Sequence, residues 1–142
     1  MRIVKFEKEH LELIIPREKQ CVQDDYVERG GEIGLLGIGY TIIDSDIIIG
    51  CGGVVDMHDG VGEVWTVIGE AFTGYKAERT VYSTCKKFIN MLDPFYHRLQ
   101  MCVKADFEEA QRFAEHLGFE NEGVMRKFDS QGRDYIRYSK VR

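Results

Sequence analysis

The sequence predicts an α+β protein in which helices cover a mixed sheet. Two stretches show the alternation and turn residues of antiparallel strands, one in the first half of the chain and one at its C-terminal end. Between these two stretches the sequence shows the spacing of a helix, with a strand-like segment before it and another after it. A helix that connects two strands in this way packs against the face of the sheet. The 142 residues, of which 44% are apolar, suffice for a core without disulfide or metal support. We therefore predict a single domain over residues 1–142.

The first half of the chain contains a predicted three-stranded meander. A short strand at residues 3–6 precedes a charged region, up to residue 29, whose helical spacing is short and imperfect. Strand alternation begins at residue 35, and the turn at Asp59-Gly60 is the strongest hairpin signal in the chain. The meander then comprises the segment from residue 35 to a turn at Asp44-Ser45-Asp46, and the strands at residues 47–57 and 61–68.

Three glycines lie inside this strand pattern, at Gly50, Gly52 and Gly53. A dinucleotide-binding glycine loop opens a helix, and no helical pattern follows these residues directly. We therefore predict a β-bulge or a close backbone contact at this point.

A helix of about four turns is predicted after Gly69, and it ends before Asp93-Pro94. Its apolar face comprises Ala77, Val81, Cys85, Phe88, Ile89 and Leu92. A strand at residues 99–104 leads into a second helix, for which Asp106 is the predicted N-cap and Glu109 its capping-box partner.

The second helix and the final hairpin complete the predicted order of elements. Gly118 is placed to end the helix in the left-handed conformation, with Phe119 as the apolar contact of that cap. Strands at residues 122–128 and 135–141 flank a turn at Ser130-Gln131-Gly132.

Charge and hydropathy exclude several classes of partner. The net charge of −5 argues against nonspecific binding to nucleic acid or to an anionic membrane, although residues 126–142 carry +4 and the remainder −9. The chain is charged from Arg2 onward and has no apolar run of the ~18 residues that cross a bilayer. We therefore predict a soluble, cytoplasmic protein without nucleic-acid or membrane partners.

Cysteine and histidine spacing predicts no metal site. The four cysteines stand tens of residues apart in apolar stretches, and the four histidines are equally scattered. Reduced core thiols and the absence of a metal cofactor are the expectation.

The C-terminal segment carries a family resemblance. Residues 110–126, AQRFAEHLGFENEGVMR, are followed by Gly132-Arg133-Asp134-Tyr135 and by Tyr138. This resembles the GCN5-related N-acetyltransferase (GNAT) superfamily, in particular the ribosomal-protein-acetylating branch, with Glu-Lys-Leu-Gly-Phe at a helix end, then Glu-Gly-x-x-Arg and an Arg-Asp pair. The match covers about the last 40 residues, and the chain is also similar to the short bacteriophage and prophage members.

The resemblance implies a fold and a cosubstrate. It implies a central, mostly antiparallel sheet of six to seven strands with about four helices, and acetyl-CoA bound between a central strand and the next helix. The strand would contribute Val64, Trp65, Thr66 and Val67, whose backbone would pair with the pantetheine arm. The loop that opens the helix would hold the pyrophosphate on its amides, and comprises Thr73, Gly74, Tyr75, Lys76, Ala77, Glu78 and Arg79.

The sequence departs from the family pattern at three places. The phosphate loop matches only in part, and Glu78 brings a negative charge that Lys76 and Arg79 would offset. Phe107 stands where the family has an asparagine, and Ala114 where it often has a general-acid tyrosine.

Three side chains are candidate catalytic residues. Glu63 would take the amine proton, directly or through water, as a strand carboxylate does in some relatives. The alternative is that Glu63 is a solvated residue at the edge of the strand, without a catalytic role. Tyr135 or Tyr138 would protonate the departing thiolate, or both pack the last strand, and their spacing turns them to opposite faces. Trp65 either contacts cofactor or substrate, or packs in the core.

These residues support hypotheses of different classes. The first is an N-acetyltransferase that transfers acetyl from acetyl-CoA, by direct attack, to the primary amine of a small molecule, a protein N-terminus or a lysine. The second is a catalytically silent GNAT-fold protein that serves as a structural or interaction component, such as part of a phage particle or its assembly. A CoA-binding regulator without turnover lies between them, and pairing of an exposed edge strand would allow a homodimer.

Overall fold

The computed structural model describes residues 1–14, 37–69 and 74–142, and for Tyr75 the backbone alone. In chain order the elements are β1 (Arg2–Lys5), α1 (Lys8–Leu13), β2 (Gly37–Asp44), β3 (Ile47–His58), β4 (Val61–Ile68), α2 (Gly74–Leu92), β5 (Arg98–Lys104), α3 (Glu108–His116), β6 (Glu120–Met125) and β7 (Tyr135–Val141). A short 3-10 helix, Asp93–Phe95, follows α2 where the sequence places Pro94.

Seven strands form one sheet in the order β1-β2-β3-β4-β5-β7-β6. β4 and β5 are parallel, whereas β1–β2, β2–β3, β5–β7 and β6–β7 are antiparallel. The predicted mixed, mostly antiparallel sheet with helices is confirmed. The described residues contain three of the roughly four expected α-helices, and most of the charged region up to residue 29 lies outside them.

Contacts within the chain divide it into two compact units. The first comprises Met1–Val55 and Val64–Val81, and the second Asp56–Glu63 and Tyr82–Arg142. The core of the first unit contains Phe6, Leu11, Ile14, Ile48, Cys51 and Val67, with Trp65 and Ile43 packed against it. In the second unit the most deeply buried side chains include Leu99, Ala114, Phe119 and Tyr138. A single domain over the whole chain stays a prediction.

The strand glycines lie where two backbones approach closely. A Cβ on Gly53 would lie 2.2 Å from the Ile38 carbonyl oxygen, and one on Gly52 would lie 2.8 Å from that of Trp65. The β2–β3 register also shifts between Ile42 and Ile43. The predicted close backbone contact is therefore confirmed.

The two ends of α3 differ in how well the sequence predicts them. The N-cap residue is Phe107, without a side-chain cap, so the prediction of Asp106 as the N-cap is wrong. A turn in which Phe107 N donates to Lys104 O delays the helix, and the Asp106 carboxylate pairs instead with Lys104 Nζ at 3.3 Å. At the other end Gly118 adopts φ +96°, and Phe119 N donates to Ala114 O at 3.1 Å, which confirms the predicted left-handed cap.

Cys51, Cys85 and Cys102 carry free thiols, and Cys21 lies outside the described residues. Burial raises the pKa of Cys51 to about 12 and that of Cys85 to about 11, so both thiols stay protonated at neutral pH.

Across the described ranges, no three His, Cys, Asp or Glu side chains are grouped to hold a metal ion. No helix in these ranges combines the length and apolar character needed to span a membrane.

Candidate functional site

Strand β4 places the candidate cofactor segment and the candidate base next to each other in the chain. Val64 and Val67 are buried, and the exposed Thr66 donates its hydroxyl to Cys51 O at 3.3 Å. The Trp65 ring packs edge-on against Phe6, with 4.9 Å between ring centroids. Of the two interpretations of Trp65, core packing is the one its side chain displays, which leaves its backbone as the part that a cofactor would use.

The segment predicted as a phosphate-binding loop begins a helix instead. Residues 74–79 form the first turns of α2, with Gly74 as its first residue at φ +84°. Ala77 is buried at 4% exposure, whereas Lys76, Glu78 and Arg79 are exposed. Thr73 lies outside the described residues. The N–H groups in the first turn of an α-helix lack intrahelical acceptors. The amides at the start of α2 can therefore still donate hydrogen bonds to a pyrophosphate, as was expected of a loop.

The start of α2 suits an anionic ligand. A Cβ on Gly74 would meet no described atom within 4 Å, so none of the described residues fills the space beside this backbone. The positive end of the helix dipole and the exposed cations of Lys76 and Arg79 favour phosphate groups, and Glu78 opposes them. The donor set therefore fits the pyrophosphate of a nucleotide cofactor.

Glu63 is held by two side chains of the second unit, one on the adjacent strand β5 and one on β7, the strand beyond it. It lies in parallel register with Gln100 on β5, whose Nε2 donates to Glu63 Oε2 at 2.7 Å. From β7, Arg137 Nη1 donates to both carboxylate oxygens at 2.9 Å. Glu63 is therefore half-buried and ion-paired, and the simple solvated strand-edge interpretation is wrong.

A second ion pair continues the same network. Arg98 donates through Nε to Gln100 Oε1 at 2.8 Å and through Nη1 to Glu122 Oε2 at 3.0 Å. Glu122 is the extra residue of a bulge, where the β6 register shifts between Asn121 and Gly123. Bulges re-aim side chains, and this one directs a carboxylate of an edge strand toward β5. Gln100 links the two ion pairs by donating to Glu63 and accepting from Arg98.

Sequence reasoning missed Arg137, Gln100, Arg98 and Glu122. On β5 the polar residues Arg98, Gln100 and Lys104 alternate with apolar ones, a pattern that places them on one face of the sheet. This alternation was the available signal. It does not reveal which carboxylate pairs with which guanidinium, because strand register decides that.

Glu122 is expected to make stability sensitive to acid. Hydrogen bonds from Arg98 and Ser139 lower the pKa of Glu122 to about 2 from its ordinary 4.5. A carboxyl whose pKa is depressed by folding stabilises the protein above its ordinary pKa, and the stabilisation is lost as the pH falls toward 2. In urea unfolding at pH 5 and pH 3, Glu122→Gln should lose less stability on acidification than wild type. Glu120→Gln, which removes one charge from the same strand, should keep the wild-type loss, and equal losses in all three proteins would contradict the assignment.

The two candidate tyrosines have different surroundings. Tyr138 is 1% exposed and its hydroxyl donates to Glu115 Oε1 on α3 at 3.4 Å. Burial, reinforced by the Glu115 carboxylate, raises the pKa of Tyr138, so the phenol holds its proton at neutral pH. Tyr135 donates instead to Asp129 Oδ2 at 3.3 Å in the turn between β6 and β7.

Asp129 anchors that turn. Its buried carboxylate accepts hydrogen bonds from the backbone of Gln131 and from the backbone and side chain of Arg133. Burial alone would raise the pKa of Asp129, but these bonds hold it below its ordinary value. The predicted strand at residues 122–128 therefore ends earlier, at Met125, because the chain turns to satisfy Asp129. Tyr135 belongs to this anchored turn.

Comparisons with solved structures show acetyltransferases of similar fold. The chain matches an acetyltransferase of the GNAT family from Streptococcus pneumoniae with a TM-score of 0.73 at 16% identity, covering 99% of this chain and 98% of that one. It matches ribosomal-protein-S5-alanine acetyltransferase from Vibrio fischeri with a TM-score of 0.67 at 17% identity, over 98% and 91% of the two chains. It also matches yncA of Salmonella typhimurium, a proposed acetyltransferase solved with its cofactor acetyl-CoA, with a TM-score of 0.68 at 15% identity over 99% and 93%.

The sequence comparisons are negative. No protein-family model matches the chain, and no curated protein matches it. The structural matches nevertheless span nearly the whole of each chain, so they cover the order and connection of all the elements described above. The chain therefore has the fold of GNAT-family acetyltransferases.

Proposed function

We propose that this protein is an N-acetyltransferase that transfers the acetyl group of acetyl-CoA to a primary amine by direct attack. The observation that carries this proposal is the full-length match to acetyltransferases of the GNAT fold. The cation-flanked start of α2, the next described helix after β4, supports it, because the resemblance to the family implies that the cofactor binds there.

Strand β4 and the start of α2 would hold the cosubstrate. The backbone of residues 64–67 would pair with the pantetheine arm, and the first-turn amides of α2 with Lys76 and Arg79 would hold the pyrophosphate. Acetyl-CoA, when bound, supplies an acetyl thioester with an electrophilic carbonyl. A cytoplasmic location agrees with this proposal, since acetyl-CoA is an intracellular metabolite.

Glu63 and Tyr138 would transfer the protons. The amine nitrogen forms a bond to the acetyl carbon while the carbon–sulfur bond breaks, and Glu63 takes a proton from the amine, directly or through water. Tyr138 gives the departing thiolate its proton, since a tyrosine phenol is protonated at neutral pH and can donate. Tyr135 is the weaker candidate, since its hydroxyl serves the Asp129 turn.

One observation favours the alternative of a catalytically silent protein, including a phage structural component. Both oxygens of Glu63 accept hydrogen bonds from Arg137, so the candidate base is engaged before any substrate arrives. A CoA-binding regulator would show cofactor binding without turnover, and a structural protein would show neither. Cofactor binding is therefore the first property to measure.

Calorimetric titration with acetyl-CoA is expected to give a Kd in the micromolar range, about −8 kcal/mol. Gly74→Val should weaken this binding at least about tenfold, because the side chain would occupy the space beside the first amides of α2 and would strain a residue at φ +84°. Pantetheine alone should bind wild type and Gly74→Val alike, since it lacks the pyrophosphate.

Gly132→Val is the matched control, because Gly132 also has a positive φ, of +75°, with no described atom within 4 Å of a Cβ. It should keep the wild-type affinity for acetyl-CoA. Neither heat nor thermal stabilisation of the wild type at millimolar acetyl-CoA would refute the enzyme proposal.

A further inference from the structure

The linked ion pairs of the second unit form a polar strip, defined by Arg137, Glu63, Gln100, Arg98 and Glu122. The side chains of Arg137 and Glu63 are 21% and 24% exposed, and those of Arg98 and Glu122 are 26% and 36% exposed. All are thus partly shielded from water yet reachable from solvent. Glu63 also directly precedes the β4 segment proposed to hold the cosubstrate.

An incoming ammonium group would have to compete with Arg137 for Glu63. Arg137 Nη1 contacts both carboxylate oxygens at 2.9 Å, so an amine that engages Glu63 must replace at least one of these bonds. That exchange would leave a shielded guanidinium without its counter-ion, which is strongly unfavourable. An acceptor that carries its own carboxylate removes this penalty, because the carboxylate takes the place of Glu63 on Arg137.

The charge balance of the polar strip also favours an acceptor that carries both a positive and a negative charge. Two guanidinium groups and two carboxylates cancel, so the strip has no excess negative charge to attract a simple cationic amine. A zwitterion is likewise neutral, and its ammonium and carboxylate match the adjacent carboxylate and guanidinium. Arg also suits this role because its planar group binds a carboxylate through two parallel hydrogen bonds.

We propose that the acceptor is a small zwitterionic amine of the amino-acid class, with its ammonium on Glu63 and its carboxylate on Arg137. This inference rests on the proposed acetyltransferase function and narrows its acceptor. Arg137 is then a specificity-determining residue. It stays paired with Glu63 until an acceptor that carries both an ammonium and a carboxylate group replaces the Glu63–Arg137 ion pair.

The test compares amino acids with their own amides, which keep the amine and lack the carboxylate. Wild-type protein with acetyl-CoA should acetylate the best amino acid of a panel with a kcat/KM at least about tenfold above that of its amide. Arg137→Gln should bring this ratio to within about threefold of unity, mainly by raising the KM of the amino acid. Arg137→Lys, which keeps the charge, should retain part of the preference.

Arg126→Gln is the control, since it removes one exposed positive charge near the β6–β7 turn. It should keep the wild-type ratio. Thermal melts of each variant establish folding, and the wild-type ratio tests the inference even if Arg137→Gln does not fold.

The outcomes separate the two proposals. Acetyl-CoA binding with equal rates for amino acid and amide, or with transfer to simple amines only, overturns the zwitterion inference and leaves the acetyltransferase proposal standing. Acetyl-CoA binding without transfer to any amino acid also overturns the inference. Absence of acetyl-CoA binding overturns both.

Discussion

Gly53→Ala is expected to cost about 4 kcal/mol or more of the free energy of unfolding, enough to leave little folded protein. The added Cβ would lie 2.2 Å from Ile38 O and 2.7 Å from Gly39 Cα, both of which are backbone atoms of the paired strand β2. A flexible side chain could turn away from such a contact, but a hydrogen-bonded backbone cannot. Soluble yield and urea unfolding would measure the effect.

Gly132→Ala is the control for the removal of a glycine. Its positive φ should cost only about 1–2 kcal/mol, because no described atom lies within 4 Å of the added Cβ. If Gly53→Ala unfolds within 1 kcal/mol of wild type, the close approach of β2 and β3 is wrong.

Tyr138→Phe is expected to lower kcat about 100-fold or more, as the loss of a general acid commonly does. The phenyl ring preserves the packing of a side chain that is 1% exposed, so the variant loses only the hydroxyl and its 3.4 Å hydrogen bond to Glu115. Stability should fall by about 1 kcal/mol. CoA thiol release would be followed with the acceptor that the amine panel identifies.

Tyr135→Phe is the matched control, because it makes the same change on the same strand. It should keep kcat within about threefold while losing the hydrogen bond to Asp129. A large fall in kcat for Tyr135→Phe with Tyr138→Phe unchanged would reverse the assignment of the proton donor. Unchanged kcat in both would remove tyrosine from the mechanism.

Local patterns in the sequence predict much of the fold. The bounds of β4 and β7 coincide with the predicted strands, because alternation and adjacent turn residues both mark them. The left-handed end of α3 was likewise predictable from Gly118 and Phe119. The Asp106 cap was not, because a backbone turn from Lys104 moves the helix start by one residue.

The candidate site was predictable only as single residues. Glu63 stands out as a carboxylate in a central strand, but its partner Arg137 is 74 positions away, and only the order and register of β4, β5 and β7 bring them together. The bulge that directs Glu122 toward Arg98 depends on an added residue opposite β7, for which Gly123 is a weak signal.

The parallel pairing of β4 with β5 also bears on how the protein folds. These strands are joined through α2, so their contact closes a long loop, and the Glu63–Arg137 pair needs β7 in place as well. Contacts of such high sequence separation form slowly, whereas the hairpins and helices have local contacts. The polar strip should thus be among the last regions to assemble during refolding. After dilution from denaturant, acceptor binding should therefore recover only when the whole sheet has assembled. Its recovery should lag behind the recovery of the helical circular dichroism signal.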